Sequence, residues 1–517
     1  MRRTTLYYYL PSSIPWVNVD SLTKSKPWPY YPLKRQAGGC IYLHPLAKYP
    51  GPRSSAASRI PITYATVSGN LPFWLEKQHV KYGPVVRVAP DELSYSDPRA
   101  WKDIFARHPN RPYGMPREKG ISAMFDDEHS PPSIVSATDV DHPRISRAYA
   151  SCFTKSALSA QEPLILEHIK RLMVKLHEGQ NQPVNIGDMF TFLLFDIKAD
   201  LQFGESLRLL DTAANIPWVG SQPYWIRASV ILAALAEFPL IRLISQWALP
   251  GFVKTQRDMY LKFSNDKVNH RLQSMDVDRP DFLQLIVKSK EQQGTLSADE
   301  LRVNAPILMT AGSDTTMALL SGLIVHLMNA PHAHKKVQDE IRTAFRTSED
   351  ITMLAMSRLP FVDACLRETL RLYPSVPALI PRVVPQPGAE IAGLWVSGGT
   401  RLCISTLATS RSSRHFFEAG AFHPERWRRA ETGEEGDGEK EIFSADDKNA
   451  FHPFSIGNRS CPGQDMAYYI SRMVLCHIVL QFDFESCSET ATWFERQRAW
   501  QVWHKPPLLI KLIPPKS

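Results

Sequence analysis

Cys461 lies in a segment near the end of the chain whose residue types and spacing suit metal ligation. The segment reads Phe454-Ser-Ile-Gly-Asn-Arg-Ser-Cys-Pro-Gly463, which places Gly457 and Gly463 on either side of the cysteine. Because glycine allows sharp turns and close backbone approach, such a loop can hold a thiolate beneath a large flat ligand. Phe454 can then pack beside the sulfur, and Arg459 can neutralise an anionic group of that ligand.

The element that follows the cysteine supports this interpretation. Residues 464–482 have helical periodicity, so the thiolate would lie near a helix N-terminus, where partial positive charge stabilises it. A lone cysteine is usually a small buried apolar residue. The full spacing Phe-x-x-Gly-x-Arg-x-Cys-x-Gly is far more specific than a lone cysteine, and it indicates a ligand.

A second candidate segment places polar residues in the middle of a long apolar helix. The segment Ala311-Gly-Ser-Asp-Thr-Thr316 belongs to a helical stretch that we expect to begin at Ser297, where Ser-x-x-Glu forms a capping box. Gly312 leaves room beside the helix, whereas Asp314 and Thr315 cost free energy in apolar surroundings unless they are paired. The ordinary alternative is that the threonine hydroxyl bonds the carbonyl four residues earlier.

With both segments in one chain, the sequence resembles the cytochrome P450 family of haem-thiolate monooxygenases. The resemblance implies that Cys461 is the axial ligand of a haem iron, a thiolate that pushes electron density to the iron and favours O–O cleavage. It also implies that Gly312 lies over the haem and that Asp314 and Thr315 guide protons to dioxygen. The loop residues that it assigns to cofactor binding, beside the cysteine, are Phe454, Gly457, Arg459 and Gly463.

Two further segments fit the same resemblance. Glu368-Thr-Leu-Arg371 places an acid and a base three residues apart, so they share one helix face and can form an ion pair. Such pairs are usually solvated, but this helix also carries leucines, so we expect burial. The second segment is Phe422-His-Pro-Glu-Arg-Trp427. In the family, an arginine at the position of Arg426 joins the pair in a buried triad that braces the haem loop. Glu368, Arg371 and Arg426 are therefore assigned a structural role.

Haem carries two propionates, so basic residues should meet it. The resemblance assigns this role to Arg459 and to Arg382, which lies in Pro-Arg-Val-Val-Pro at the family's usual strand position. Residues 141–147 resemble the family's early helix, in which His142 would be followed four residues later by arginine. Serine occupies that position here, which leaves Arg147 or Arg144 to substitute. We keep His142 and Arg147 as predicted haem contacts.

The reaction implied by the resemblance is insertion of one oxygen atom from O2 into an apolar small molecule. The cofactor would be haem b (iron protoporphyrin IX), with electrons from NADPH through a separate NADPH-cytochrome P450 reductase, since the sequence shows no flavin or nicotinamide module. Residues 203–206 and 44–52 resemble filamentous-fungal members that tailor secondary metabolites. Apolar residues in the variable stretches 112–135, 206–250, 305–316 and 376–381 and in the C-terminal tail favour a terpenoid, polyketide or aromatic skeleton.

Other functions stay open at this point. A haem-thiolate isomerase, dehydratase or peroxygenase would need no reductase, and a non-catalytic haem-binding protein would show no turnover. The Asp314–Thr315 pair disfavours both, because neither function needs protons delivered to dioxygen. A scaffold protein that uses residues 229–249 would leave the cysteine loop unexplained.

The composition is that of a globular protein and excludes several classes. Sixty Lys and Arg face 52 Asp and Glu, and the net charge of +8 is spread along the 517 residues, so we expect no nucleic-acid binding. The 7 cysteines contain no Cys-x-x-Cys pair, which argues against a disulfide framework and a zinc ribbon. Strand signals at 82–90 and 378–405 within helical periodicity predict a mainly α fold with a smaller β-rich part. We expect the cytochrome P450 fold in one haem-binding domain, 41–517, and a monomer.

Two stretches bear on membrane attachment. Residues 1–40 form a basic, proline-containing tail without an apolar run long enough for a membrane span or a signal peptide. Residues 229–249 are hydrophobic but interrupted by Glu237, Pro239 and Arg242, so we expect either buried core helices or an apolar surface at a bilayer or pocket mouth. Relatives normally carry a hydrophobic anchor. We therefore expect peripheral attachment on the cytosolic side of the endoplasmic reticulum membrane or, as the alternative, a cytoplasmic protein.

Overall fold

The computed structural model describes residues 41–109, 111–118, 131–212, 217–239, 241, 251–275, 278–288, 296–428 and 442–515. The predicted tail 1–40 and residues 240 and 242–249 of the apolar stretch lie outside them. Within the described residues, long helices dominate and the strands are short. The predicted fold class, mainly α with a smaller β-rich part, is confirmed.

Helices form most of the described chain. In chain order they are α1 Arg53–Ala57, α2 Ile60–Val67, α3 Leu71–Tyr82, α4 Arg99–Phe105, α5 His142–Ala150, α6 Lys155–Glu178, α7 Ile186–Phe203, α8 Leu209–Thr212, α9 Pro217–Ala236, α10 Gly251–Gln273, α11 Phe282–Lys288, α12 Ala298–Asn329, α13 Pro331–Ala344, α14 Met353–Met356, α15 Pro360–Leu372, α16 Thr406–Ser410 and α17 Gln464–Gln481.

The strands form small sheets that join distant parts of the chain. They are β1 Val85–Ala89, β2 Glu92–Tyr95, β3 Pro183–Asn185, β4 Arg382–Val383, β5 Gly388–Ile391, β6 Leu394–Ser397, β7 Arg401–Ile404, β8 Asp483–Ser486, β9 Arg498–Trp500, β10 Val502–His504 and β11 Leu509–Ile513. The largest sheet has the order β1-β2-β7-β4, in which β2 and β7 are parallel. The strand predicted within 82–90 is β1, and the patch at 378–405 contains β4 to β7, so both strand predictions are confirmed.

Two large buried cores meet at the cysteine loop. The helical core draws on side chains from Ile134 to Leu512, and the sheet-side core packs residues 46–115 against residues 384–404. Phe454 packs against the helical core and Ile456 against the sheet-side core. The loop that carries Cys461 is therefore fixed from both sides by side chains that are distant in sequence.

Helix α12 runs through the helical core. The Ser297 hydroxyl accepts from the Glu300 N–H at 3.1 Å, and a Glu300 carboxylate oxygen accepts from the Ser297 N–H at 2.8 Å, so the predicted capping box is confirmed. Among the described residues, α12 is the one helix long and apolar enough to cross a bilayer. More than half of its apolar window is buried inside the protein, which is what a central core helix requires.

The described part of the apolar stretch 229–249 is the end of α9 and the residues just after it. Residues 231–236 are half-buried, and α9 packs against α2 and β9. Glu237 forms ion pairs with Arg401 at 2.9 Å and Arg59 at 3.6 Å. Of the two alternatives, this part fits the edge of an apolar pocket rather than a pair of buried core helices, because its side chains stay partly accessible.

Candidate active site

The cysteine loop is shaped by a glycine and closed by a backbone hydrogen bond. Gly457 has φ +78°, and a side chain there would collide with the carbonyl oxygen of Phe105 in α4. The Cys461 N–H donates to the Phe454 carbonyl at 2.9 Å. The Phe454 ring lies 5.3 Å from the ring of Tyr468 in α17. The loop therefore needs glycine at 457 to approach α4.

Cys461 lies just before the N-terminus of α17, whose N-cap is Gly463, as the sequence predicted. Among the described cysteines it alone is exposed. Surrounding protein atoms nonetheless desolvate the thiol and raise its pKa, while the Gly463 backbone and the Lys198 ammonium act in the opposite direction. A helix N-terminus and a nearby cation are the features that stabilise a thiolate. The loop thus presents one accessible sulfur beside a helix N-terminus and a cation.

The accessible face of α12 carries Gly312 and a threonine, Thr315, whose hydroxyl is hydrogen-bonded. Thr315 Oγ1 donates to the Ala311 carbonyl at 2.7 Å, and Thr316 Oγ1 donates to the Gly312 carbonyl at 2.8 Å, so both hydroxyls bond four residues back. The two threonines differ in access. Ala311 is exposed and Gly312 and Thr315 are half-buried, whereas Thr316 is buried. Only the Thr315 oxygen keeps its remaining lone pair on an accessible face.

Asp314 is held by a cation from the C-terminal strands. Lys505 Nζ lies 2.8 Å from Asp314 Oδ1, and the Lys505 side chain is only 8% exposed. The second carboxylate oxygen, Oδ2, is buried without a hydrogen-bond partner among the described residues. A small cleft beside it is lined by Gln222 and Arg227 of α9 and by His504 of β10. Asp314 therefore connects α12 to a small cleft in which these polar side chains lie among apolar ones such as Ile226 and Trp500.

Lys198 of α7 lies between the α12 glycine and the start of α17. A side chain at Gly312 would come within 2.7 Å of Lys198 Cε, and Lys198 Nζ lies 2.8 Å from Met466 Sδ. Burial lowers the pKa of Lys198 to about 8, and the Cys461 thiol acts in the opposite direction. The two predicted halves of the site, one on α12 and one in the cysteine loop, thus flank a single buried side chain.

Three arginines and a histidine form a cationic cluster beside the cysteine loop. Residues Arg117 and Arg382 are paired in a β-bridge, Arg459 acts electrostatically on both, and all three arginines act on His142. Arg459 donates to Asp139 at 2.8 Å and to the Ala137 carbonyl at 2.6 Å. Arg382 donates to the Met115 carbonyl at 3.0 Å, and Arg117 donates to the Val135 carbonyl at 2.7 Å.

Burial and mutual repulsion act on the members of this cluster. Burial and the charges of Arg382 and Arg459 lower the pKa of Arg117 to about 9, and burial with Arg459 lowers the pKa of Arg382 to about 10. Burial and the same arginines lower the pKa of His142 to about 3, so it is neutral at physiological pH. The Nε atoms of Arg117 and Arg382 are buried without a described partner. Within the part of the chain that the structure describes, Asp139 is the carboxylate that acts on all three members Arg117, Arg382 and His142, so the cluster suits an additional anion.

Arg147 lies outside this cluster, so the geometry gives no support to its predicted haem contact. It is exposed on α5, five residues after His142, which places it about 140° around the helix from that side chain. Arg144, the other candidate, forms an ion pair with Glu300. The cation that the structure supplies is Arg117, which lies in a stretch that the sequence assigned to substrate contact and not to haem.

Glu368, Arg371 and Arg426 meet in a fully buried network, as predicted. The Glu368 carboxylate accepts from Arg371 at 2.7 and 2.8 Å and from Arg426 at 3.1 Å, and all three side chains are 0% exposed. Trp427 Nε1 donates to the same carboxylate at 2.9 Å, and Asp446 pairs with Arg426. Two acids thus balance two arginines. Arg371 also donates to backbone carbonyls, those of Ser410 at 2.8 Å, Ala419 at 2.6 Å and Ala421 at 2.9 Å.

A partly open cavity of about 140 Å³ lies among α2, α9 and the largest sheet. Three of the stretches expected to contact substrate contribute to it, together with the C-terminal segment. Its apolar lining includes Ile62, Leu75, Val230, Ala234, Pro377 and Leu379, and its charged lining includes Arg59, Glu237 and Arg401. The cavity therefore combines an aliphatic interior with a salt-bridged rim.

Sequence reasoning missed Arg117, Lys198, Lys505 and Asp446. Only Lys198 carried a local signal, because Asp196, Lys198 and Asp200 place three charges inside the otherwise apolar helix α7. The other three lie in loops or beside short strands, where no periodic pattern reveals the partner. Their roles depend on contacts between segments far apart in the sequence.

Comparison with known proteins agrees with the cysteine loop. Residues 62–512 match the family model Cytochrome P450. The chain is 39% identical over 485 residues to cytochrome P450 monooxygenase aneG of Aspergillus aculeatus, covering 92% of this chain and 90% of that protein. It is 35% identical over 477 residues to cytochrome P450 monooxygenase efuB of Hormonema carpetanum, covering 91% and 92%. It is 34% identical over 478 residues to cytochrome P450 monooxygenase astJ of Aspergillus oryzae, covering 92% and 93%. The chain therefore belongs to the cytochrome P450 family of monooxygenases.

Proposed function

We propose that this protein oxidises an apolar small molecule with O2, inserting one oxygen atom into a C–H bond and reducing the other to water. The two electrons come from NADPH through a separate NADPH-cytochrome P450 reductase, and one further proton balances the reaction. One arrangement carries the proposal: an exposed cysteine at a helix N-terminus lies across Lys198 from the Gly312 face of α12, next to a buried cationic cluster.

The residues of the site fit haem b. Cys461 would supply the sulfur ligand, held in the loop that Phe454, Gly457 and Gly463 shape. Arg117, Arg382 and Arg459 would supply the positive charge that two propionates need, with neutral His142 beside them. When bound, a haem with a thiolate ligand supplies activation of dioxygen, because the thiolate donates electron density that favours O–O cleavage.

Two polar residues of α12, Asp314 and Thr315, are assigned to proton transfer. Thr315 keeps an accessible hydroxyl oxygen, and its own proton is held by the Ala311 carbonyl in the resting arrangement. Asp314 has one oxygen fixed by Lys505 and one without a described partner, next to the cleft of Gln222 and His504. We assign proton uptake from that cleft to Asp314 and proton delivery at the reacting oxygen to Thr315.

The lining of the cavity beside α9 indicates the class of substrate. Its aliphatic lining favours an apolar skeleton, such as a terpenoid, polyketide or aromatic compound. The similar proteins come from filamentous fungi, which supports a tailoring step in fungal secondary metabolism. The rim charges are already paired with one another, so they do not require an ionised substrate.

We assign the protein, as a monomer, to the cytosolic side of the endoplasmic reticulum membrane with peripheral attachment. Tyr42, Leu43, Leu394 and Trp395 are exposed, and the Tyr49 hydroxyl donates to the Trp395 carbonyl at 2.9 Å, which holds the start of the described chain next to β6. Exposed aromatic and aliphatic side chains favour an interfacial position. Sedimentation with phospholipid vesicles tests this, and an unchanged bound fraction for Trp395→Ser would remove Trp395 from the contact.

The thiolate assignment is tested by spectroscopy of the haem-loaded protein. The reduced, carbon-monoxide-bound form should absorb near the characteristic band of the family. Cys461→Ala should lose the band, whereas Cys487→Ala, at a half-exposed cysteine elsewhere, should keep it. A folded, haem-loaded protein without the band would overturn the assignment.

Turnover separates the proposed reaction from its alternatives. A monooxygenase consumes NADPH and O2 only with the reductase present, and product appears with one atom of labelled oxygen from O2. Product formed without reductase would favour an isomerase, dehydratase or peroxygenase. NADPH consumption that no apolar compound in a terpenoid, polyketide and aromatic panel increases would favour a haem-binding protein without turnover.

A further inference from the structure

Four charged side chains at the rim of the cavity beside α9 form a closed ring, which we call the rim ring. Arg59, just before α2, lies 2.6 Å from Asp91 Oδ1 in the β1–β2 turn and 3.6 Å from Glu237 Oε2 just after α9. Arg401 of β7 lies 2.9 Å from Glu237 Oε1 and 3.9 Å from Asp91 Oδ2. Each carboxylate therefore faces one arginine with each of its two oxygens.

Glu92 adds a third carboxylate to the rim ring. Its Oε2 lies 2.6 Å from Arg59 Nη2, and its side chain is only 4% exposed. The five side chains together contain three acids and two arginines, so they carry one negative charge in excess. Arg59, Glu92, Glu237 and Arg401 line the cavity, whereas Asp91 lies behind them and outside its lining.

The cavity behind the rim ring is poorly suited to an organic anion. Its interior is lined by aliphatic side chains such as Leu75, Val230 and Leu379. Apolar surroundings solvate an ionised carboxylate poorly, so such a group needs a cation to pair with. Both rim arginines already have carboxylate partners, and an entering anion would meet the excess negative charge of the rim. An uncharged apolar molecule meets neither cost.

We propose that Glu237 is a specificity-determining residue, which keeps the two rim arginines paired and so restricts the substrate to uncharged molecules. This role rests on the proposed function, because it takes the cavity beside α9 as the place where substrate binds. Among the described acids of the rim, Glu237 is the one that both lines the cavity and pairs with both arginines. Specificity of this kind comes from a group that disfavours the wrong ligand rather than from one that attracts the right ligand.

The test compares a carboxylic acid with the primary alcohol of the same skeleton. Cyclohexylacetic acid is paired with cyclohexylethanol, and naphthylacetic acid with naphthylethanol, and equilibrium dialysis against the haem-loaded protein at neutral pH gives each Kd. We expect the wild type to bind each alcohol about tenfold more tightly than its acid, a modest factor because the rim is partly exposed. Glu237→Gln keeps the shape, removes one negative charge and leaves Arg401 available, so acid and alcohol should bind about equally. Glu485→Gln, at an exposed position of β8, should keep the wild-type ratio.

The ratio of the two Kd values separates charge from folding, because a merely structural role of Glu237 would weaken acid and alcohol alike. Equal binding of acid and alcohol by the wild type, or an unchanged ratio in Glu237→Gln, would overturn the role. Asp91→Asn removes the same charge outside the cavity lining and should change the ratio less. A change as large as that of Glu237→Gln would show that net charge rather than the position of Glu237 decides, which also overturns the role.

The same measurements distinguish failure of this role from failure of the proposed function. If the wild type shows the family band with carbon monoxide but binds no member of either pair, the cavity is not the substrate site. The role of Glu237 then falls while the reaction stands. If the wild type lacks the band, the proposed function itself fails. Should Glu237→Gln fold poorly, Glu237→Ser carries the same measurement.

Discussion

Lys505 and Asp314 form an ion pair that ties the C-terminal strands to the middle of helix α12, with 2.8 Å between Nζ and Oδ1. Lys505 directly follows β10, and Trp503 of that strand donates from its indole nitrogen to the Pro374 carbonyl at 2.8 Å. The acid of the proposed proton pair is therefore positioned by a segment nearly two hundred residues further along the chain.

Removing this cation should disturb proton delivery. In Lys505→Met, Asp314 loses the partner that fixes its orientation, so we expect the fraction of NADPH oxidation that ends as hydrogen peroxide to rise several-fold. Lys505→Arg keeps the charge and should restore most of the coupling. Parallel assays of NADPH, peroxide and product measure the effect. Equal coupling in Lys505→Met and the wild type would show that the ion pair is only structural.

The two adjacent threonines offer a matched pair of variants. Thr315→Ala removes the accessible hydroxyl and should increase uncoupled peroxide release, with about a hundredfold loss of product per NADPH, the low end of the contribution typical of one proton-transfer group. Thr316→Ala removes a buried hydroxyl that bonds the Gly312 carbonyl and should leave coupling near the wild-type value. A stronger effect at Thr316 than at Thr315 would contradict the assignment.

Variants of Arg117 and Arg147 test which of these two arginines contacts haem. Arg117→Gln removes one of three guanidinium groups of the cluster, so haem should dissociate faster, by about tenfold for the loss of one charge-assisted hydrogen bond. Arg147→Gln changes an exposed side chain outside the cluster and should leave the rate unchanged. Haem transfer to an excess of apomyoglobin gives both rates. Faster loss from Arg147→Gln alone would return the role to Arg147.

The buried brace should be needed for folding around haem. Glu368→Ala leaves Arg371 and Arg426 without the carboxylate that both use, and breaking a buried pair costs about 3–5 kcal/mol. We expect little haem-loaded protein and a lower unfolding midpoint. Glu485→Ala, on an exposed position of β8, is the control and should behave as the wild type. Normal haem content in Glu368→Ala would argue against a bracing role.

His326 should make the stability of the fold depend on pH. It is half-buried in α12 and stacked on Phe422 at 4.8 Å, and desolvation together with the charges of Arg411 and Arg371 lowers its pKa to about 3 from the ordinary value of 6.5. Because the folded pKa is depressed, the unfolded state binds the proton first, so stability is complete above pH 6.5 and is lost as the pH falls toward 3. From pH 7 to 5 this group should lower the free energy of unfolding by about 2 kcal/mol.

A denaturant series at both pH values checks this contribution. His326→Phe can stack on the same ring but does not titrate, so its stability should fall less between pH 7 and pH 5 than that of the wild type. His332→Phe, at an exposed position of α13, should retain the full wild-type dependence. An identical loss in His326→Phe and the wild type would exclude His326 as the source.

The sequence by itself determined the parts of this protein that are local. The cysteine loop, the capped start of α12 at Ser297, the helix that begins after Gly463 and the strands around 85 and 382 to 404 were readable, because spacing and breaker residues encode them directly. The same spacing identified the family. It also placed Glu368 and Arg371 on one face, since helical geometry alone aligns residues three apart.

Only the tertiary structure decided which charges meet. Arg117 replaced Arg147 in the cationic cluster because five residues along α5 turn a side chain away, while a loop returns a different arginine to β4. Lys505 pairs with Asp314 across nearly two hundred residues of chain, and Asp446 pairs with Arg426 across 20 residues. The position of Lys198 between Gly312 and Met466 depends on how α7 packs against α12 and α17. Such pairings follow from the packing of whole elements, which no local pattern of residues specifies.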